Sequence, residues 1–176
     1  MKFRFPAKDA LVTEADGVPD VKNPIASGEL WQASDVEFSL QAPGVGAFYV
    51  RDGREIIYSV APGADPDWVQ LYLNGQVLVA LLHQRKVINF HASSFMHNGR
   101  GVMILGATGS GKTSLTVAFA LKGAGFLSDD MTPVVFREAV PYIWSFNSKI
   151  KLRDDSIGQL NISDESLTDA EAGTGK

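Results

Sequence analysis

Gly106-Ala107-Thr108-Gly109-Ser110-Gly111-Lys112-Thr113 follows the apolar run Val102-Met103-Ile104-Leu105 and leads directly into Ser114-Leu115-Thr116-Val117-Ala118-Phe119-Ala120-Leu121. The stretch reads as strand, glycine loop and helix, the context in which G-x-x-x-x-G-K-[ST] becomes a phosphate-site signature, the Walker A motif or P-loop. The spacing has a chemical reason. Glycines let consecutive backbone N–H groups curl around phosphate oxygens, the helix N-terminus adds partial positive charge, and Lys112 reaches the terminal phosphates. The Thr113 hydroxyl is left to hold Mg2+, with Ser114 following it into the first helical turn. The competing reading is a glycine-rich turn that binds nothing. Average residue usage puts a chance match in a chain this long at on the order of one sequence in a hundred, and the flanking strand and helix lower that again.

Downstream, Gly123 or Gly125 is placed to end the helix with a left-handed cap. Phe126-Leu127-Ser128 then reads as a short buried strand delivering Asp129 and Asp130 at its C-terminal end. Parallel strands joined by a crossover helix bring such residues beside the loop, because ligand sites in open α/β sheets lie at the carboxyl ends of strands. One carboxylate there holds Mg2+ and a second accepts a proton from an attacking hydroxyl; the competing reading of an Asp pair is a turn or a cap. Thr132 to Phe136 and Val140 to Trp144 are expected to form a hairpin around Arg137-Glu138-Ala139, bent or at an edge because of Pro133 and Pro141.

Upstream, Val87 to Ala92 looks like one strand carrying His91, and His97-Asn98-Gly99-Arg100 is a hairpin turn into the strand before the loop. On the residues alone, His91 reads as a sheet histidine satisfied by backbone groups. His83 and His97 fall on a helix end and a turn, and Ser93 and Ser128 read as structural. A helix is expected from a cap at Asp67 to about Gln84-Arg85-Lys86, with Gly75 weakening it. Gly46 to Val50 and Glu55 to Val60 flank the tight-turn signal Asp52-Gly53, which predicts a hairpin. Lys2 to Val12 alternates weakly enough for one strand, and Thr13 to Ser27 reads as a loop. Ser145 to Leu152 is a basic loop; with Arg153, its Lys149 and Lys151 suit a phosphate or an acidic peptide as well as a solvated face. Asp154 or Asp155 is placed to cap a short helix through Leu160.

The chain of 176 residues is 45% hydrophobic and 20% charged, the balance of an ordinary globular domain. Its net charge of −4 argues against broad attraction to nucleic acid or anionic lipid. There is no cysteine, which excludes disulfides, thiolate metal sites and cysteine nucleophiles and is compatible with a reducing cytoplasm. No apolar h-region follows Met1, so no secretory signal is expected, and the longest apolar run, Val77 to Leu82, is too short to span a bilayer. The expected fold class is α/β: a mixed sheet with flanking helices and an N-terminal hairpin. Three portions are expected, a β-rich part over 1–66, a phosphate-loop core over 67–160, and an acidic tail or the start of a mobile segment over 161–176.

His91-Ala92-Ser93, then Asn98-Gly99-Arg100-Gly101-Val102, the loop from Gly106 to Thr113, and Ser128-Asp129-Asp130 together resemble the C-terminal catalytic domain of HPr kinase/phosphorylase and its HPr-kinase-like relatives, most strongly over residues 87 to 136. Lys149-Ile150-Lys151-Leu152 with Asp155-Ser156-Ile157, and Val50 to Glu55 with Leu82 to Arg85, resemble the relatives found in peptide-modification gene sets. The resemblance implies a core shared with PEP carboxykinases, ATP on the loop, Mg2+, and a base from Asp129 and Asp130 assisted by His91. It implies transfer of a phosphoryl group to a serine of a protein or peptide, an HPr-like carrier or a modified peptide precursor, in the cytoplasm, by a chain that forms homo-oligomers. The glycine-rich motif and arginine that support phosphorylase activity are not found, so phosphorolysis is not expected. Within the resemblance Asp130 is taken as base and Asp129, with Thr113, as metal ligand. A nucleotide-binding regulator without phosphotransfer and a carboxykinase-like phosphotransferase stand as alternatives.

Overall fold

The structure is a computed structural model that describes residues 7–145. The basic stretch with Lys149, Lys151 and Arg153, the short helix capped by Asp154 or Asp155, and the tail over 161–176 lie outside the described residues. The chain is mixed α and β with strands predominating. By internal contacts it divides into two units, Met1–Asn89 and Phe90–Lys176. The helical stretch after residue 66 therefore groups with the N-terminal strands, where the sequence placed it with the loop.

The first unit begins with β1 (Leu11–Glu14), β2 (Ala26–Ser27), β3 (Trp31–Ala33), β4 (Glu37–Ala42), β5 (Gly46–Arg51) and β6 (Glu55–Val60). They form a six-stranded sheet in the order β1-β6-β5-β4-β3-β2, in which β1 runs parallel to β6. The expected hairpin is β5 and β6, closed in register from Arg51 opposite Glu55, with Asp52 and Gly53 both at positive φ as a tight right-twisted turn needs. Three expectations change here. The strand begins at Leu11 and runs through Glu14, so residues 7–10 lie outside it and part of the supposed loop inside it. Ala26 and Ser27 pair with β3. No element was expected between Ser27 and Gly46, yet β3 and β4 occupy it; Phe38, Leu40 and Ala42 alternate along β4, but Glu37 and Ser39 between them are also buried. Glu37 is held there by Tyr49 Oη–H at 2.5 Å and by the Lys22 backbone N–H at 2.8 Å.

α1 (Pro66–Tyr72) and α2 (Leu78–Gln84) are joined without a break by a π-helical turn over Leu73–Val77. The cap is Asp65, whose carboxylate accepts the Asp67 N–H at 2.9 Å, and Pro66 takes the first helical position. Asp67, the expected cap, is already inside the helix. The buried residues Val69, Leu73, Val77 and Leu81 recur every fourth position. A plain α-helix would rotate such a series steadily off the contact face at about 100° per residue. The π turn, with more residues per revolution, resets the drift, and all four stay at 0% exposure. At the helix end, Gly53 N–H donates to Gln84 Oε1 (2.7 Å) and Arg85 Nε donates to Gly53 O (2.5 Å). Arg85 also pairs with Asp9 at 3.0 Å, locking the helix to the β5–β6 turn.

β7 (Ile88–Phe90) and β8 (Ala92–His97) replace the single strand expected over Val87 to Ala92, with a bend at His91 between them. The second unit continues with β9 (Arg100–Leu105), α3 (Lys112–Leu121), β10 (Gly125–Ser128), β11 (Thr132–Arg137) and β12 (Val140–Ile143). A three-stranded sheet has the order β10-β8-β9, with β8 antiparallel to both neighbours. β9 and β10 therefore run the same way with one strand between them, and the loop and α3 make the crossover that joins them. α3 packs on this sheet through Val117 and a stacked Phe95–Phe119 pair with ring centroids 4.5 Å apart. Gly123 ends it at φ +91°, as expected. β11 and β12 form the expected hairpin. Among the described residues no helix is long and apolar enough to cross a membrane.

Candidate functional site

The glycine loop leaves the carboxyl end of β9 and turns directly into α3. Gly109 and Gly111 stand at φ +82° and +85°, a region costly for side chains with a Cβ. Gly106 is needed for space, since a Cβ there would meet Ser110 Oγ at 2.6 Å. Gly106, Ala107, Thr108, Gly109, Ser110 and Gly111 are exposed, whereas Lys112 is buried at 8% exposure. Its ammonium reaches back into the loop and donates to Gly106 O (3.0 Å) and Ala107 O (3.1 Å). A buried ammonium needs such acceptors, and these are the carbonyls a polyanion in the loop would compete with. Ser114 is half-buried on the first turn.

Asp129 lies just past β10, one residue on from Ser128. The Thr113 hydroxyl lies 3.0 and 3.1 Å from the two oxygens of its carboxylate, a bifurcated contact that ties the start of α3 to the strand end. Burial pushes the Asp129 carboxyl above its ordinary pKa, and the neighbouring Asp130 charge pushes the same way. Hydrogen bonds from Ser93 and Thr113 act against both. Asp130 is exposed and sits at φ +63°. His91, also exposed, reaches this turn through Nδ1, 3.1 Å from the backbone carbonyl of Asp130. The predicted residues thus fall into two contacts, Thr113 with Asp129 and His91 with Asp130. The histidine meets the backbone of Asp130, where the expectation was support of its carboxylate.

Beneath the strand end lies a feature the sequence reading did not anticipate, a cluster of buried hydroxyls. Ser94 Oγ and Ser128 Oγ are 2.6 Å apart, Ser128 Oγ and Thr132 Oγ1 2.8 Å, and Thr132 donates to Ala92 O at 3.0 Å. Ser93 and Thr116 share a hydrogen bond of 2.8 Å alongside. Each of these side chains is 2% exposed or less. They join β8, α3, β10 and the first residue of β11 by directional bonds where aliphatic contacts would slide. The available signal was position: Ser93 and Thr116 lie two and three residues beyond His91 and Thr113.

Mg2+ takes hard oxygens, usually one or two carboxylates with substrate phosphates and water completing an octahedron. Thr113 and Asp129 fit that sparse demand. Among the described residues no group of three or more His, Cys, Asp or Glu side chains is placed to cage a metal, so a divalent ion here would depend on the phosphates it accompanies. The arrangement offers an amide-lined loop, a cation at its base, an oxygen pair for a metal and an exposed carboxylate one residue away. No family model, curated protein or solved structure matches this chain, so the function of the site has to be argued from its own geometry.

Proposed function

We propose that this chain is an ATP-dependent kinase with a P-loop core of the HPr-kinase-like kind, transferring the γ-phosphoryl group to a serine hydroxyl of a protein or peptide. The observation that carries the reading is the contact of Thr113 with both oxygens of Asp129 beside a buried Lys112. A chance glycine turn has no need to aim its threonine at the carboxylate ending the next parallel strand. Lys112 would exchange its loop carbonyls for β- and γ-phosphate oxygens, while the loop amides and the start of α3 hold the rest of the polyphosphate. Thr113 and Asp129 would hold Mg2+, which supplies charge neutralisation across the phosphates. Asp130, exposed and adjacent, would accept the proton of the incoming hydroxyl and align it in line with the transferred group.

The acceptor class is an HPr-like carrier or a peptide precursor, and an ATP-fed reaction in a cysteine-free chain suits the cytoplasm. The test is incubation with γ-labelled ATP, Mg2+ and candidate acceptor proteins, comparing wild type with Asp130→Asn. Label on a serine from wild type, lost in the variant while nucleotide binding is kept, supports the reading. Equal nucleotide binding by both with no labelled acceptor from either would refute it in favour of a nucleotide-binding regulator.

A further inference from the structure

Asp130 occupies a backbone conformation that does not suit it. Its φ is +63° and the Met131 N–H donates across it to Asp129 O at 2.7 Å, which makes Asp130 the centre of a γ-turn of the rare positive-φ form. Such a turn persists only where its surroundings over-determine it. On one side Thr113 and Ser93 hold the Asp129 carboxylate. On the other, His91 Nδ1 meets the Asp130 carbonyl. A carbonyl oxygen only accepts, so the Nδ1 nitrogen carries the proton and, in the neutral ring, Nε2 is left with the lone pair.

We infer that His91 is a positioning residue whose Nδ1–H clamps the Asp130 carbonyl and so maintains the γ-turn that parts the two carboxylates, Asp129 toward Thr113 and Asp130 outward. His91 acts through the backbone, not on the Asp130 carboxylate or on substrate. The bend that separates β7 from β8 falls at His91 and brings its ring to the turn, and Ser93, two residues on, reaches the other aspartate. The tripeptide His91-Ala92-Ser93 thereby sets both halves of the strand end from one short segment.

The activity arm of the test rests on the kinase reading; the first arm does not. Ring nitrogen and carbon chemical shifts of His91 in the full chain, without nucleotide and at alkaline pH, report which nitrogen bears the proton. The Nδ1–H tautomer is expected, and Nε2–H would overturn the clamp. The second arm compares His91→Asn, whose amide nitrogen stands where Nδ1 does, with His91→Gln, which mimics Nε2. Mg·ATP turnover is expected to survive in His91→Asn and to fall about tenfold, the equivalent of one hydrogen bond, in His91→Gln and His91→Ala at unchanged ATP affinity. Retention in the Gln variant with loss in the Asn variant would identify Nε2 as the working atom and refute the clamp, as would equal activity in all three. If wild type binds Mg·ATP but turns nothing over, the kinase reading fails, and the tautomer alone decides the clamp.

Discussion

Replacing Thr132 by valine tests whether the second unit is held by shape or by hydrogen bonds. Thr132 is fully buried, donates to Ala92 O at 3.0 Å and lies 2.8 Å from Ser128 Oγ. Valine keeps the volume and the branched shape, opening no cavity, and deletes only the hydroxyl. The Ala92 carbonyl then loses a donor in a dry site, while Ser128 keeps Ser94 at 2.6 Å. Two lost bonds at about 1 kcal/mol each, with some added penalty for the poorly satisfied carbonyl, put the cost at about 2–3 kcal/mol. For a chain of this size that lowers the melting temperature by about 5–10 °C. Thr132→Ser retains the hydroxyl and deletes one methyl group, at about 1 kcal/mol. The two variants thus rank oppositely under the two accounts: by apolar burial valine is the better replacement, by hydrogen bonding serine is. Differential scanning calorimetry of the three proteins in one buffer gives the order directly. A valine variant as stable as wild type, or more stable than the serine variant, would refute the argument that these hydroxyls hold the strand end.

Two further outcomes follow from the site and from the first unit. Because burial lifts the Asp129 pKa in the folded state above its unfolded value, the stability tied to that group is present below the unfolded value and lost as pH rises through the folded one. Asp129→Asn is therefore expected to melt above wild type at about pH 8, with the gap closing by about pH 4, and to lose Mg2+-dependent nucleotide binding; a gap that widens in acid would reverse the sign. In the β5–β6 turn, Gly53 has φ +58° and a Cβ there would stand 2.8 Å from Arg85 Cγ, whereas Gly63 at φ +75° has open space around it. Gly63→Ala should cost only the backbone strain, about 1 kcal/mol, and Gly53→Ala about 2 kcal/mol or more as Arg85 is displaced. Urea titration measures both, and equal losses would show that the Arg85 latch contributes nothing.

Features written in local chemistry were legible from the residues. The glycines of the loop, the Asp52-Gly53 turn, the stop at Gly123 and the hairpin around Glu138 each follow from what one or two side chains permit at one backbone position. The helix start was missed by two residues because Asp65 and Asp67 are equal as capping side chains, and only the preference of Pro66 for the first turn separates them. β3 and β4 escaped notice because buried Glu37 and Ser39 blur the alternation, and their burial depends on Tyr49 and on the Lys22 backbone, residues distant in sequence. The bend at His91 was invisible for a similar reason, since the residue it answers to is 39 positions away. At the site, the sequence named Thr113 and Asp129 but not the hydroxyls behind them. Serine and threonine carry no periodic mark of burial, and only the fold shows which of them meet.

The π-helical turn between α1 and α2 bears on how the first unit tolerates changes in length. Deleting Gly75 would leave an ordinary α-helix from Pro66 onward and turn everything after it by about 100°. Leu78, Leu81 and Leu82 would rotate off the face they now bury, and Gln84 and Arg85 would leave the β5–β6 turn. Inserted residues in a helix are ordinarily disruptive, yet here the extra residue is what keeps both ends of the helix in register with one sheet. The segment is therefore expected to accept substitutions at Gly75 more readily than the removal of that single position.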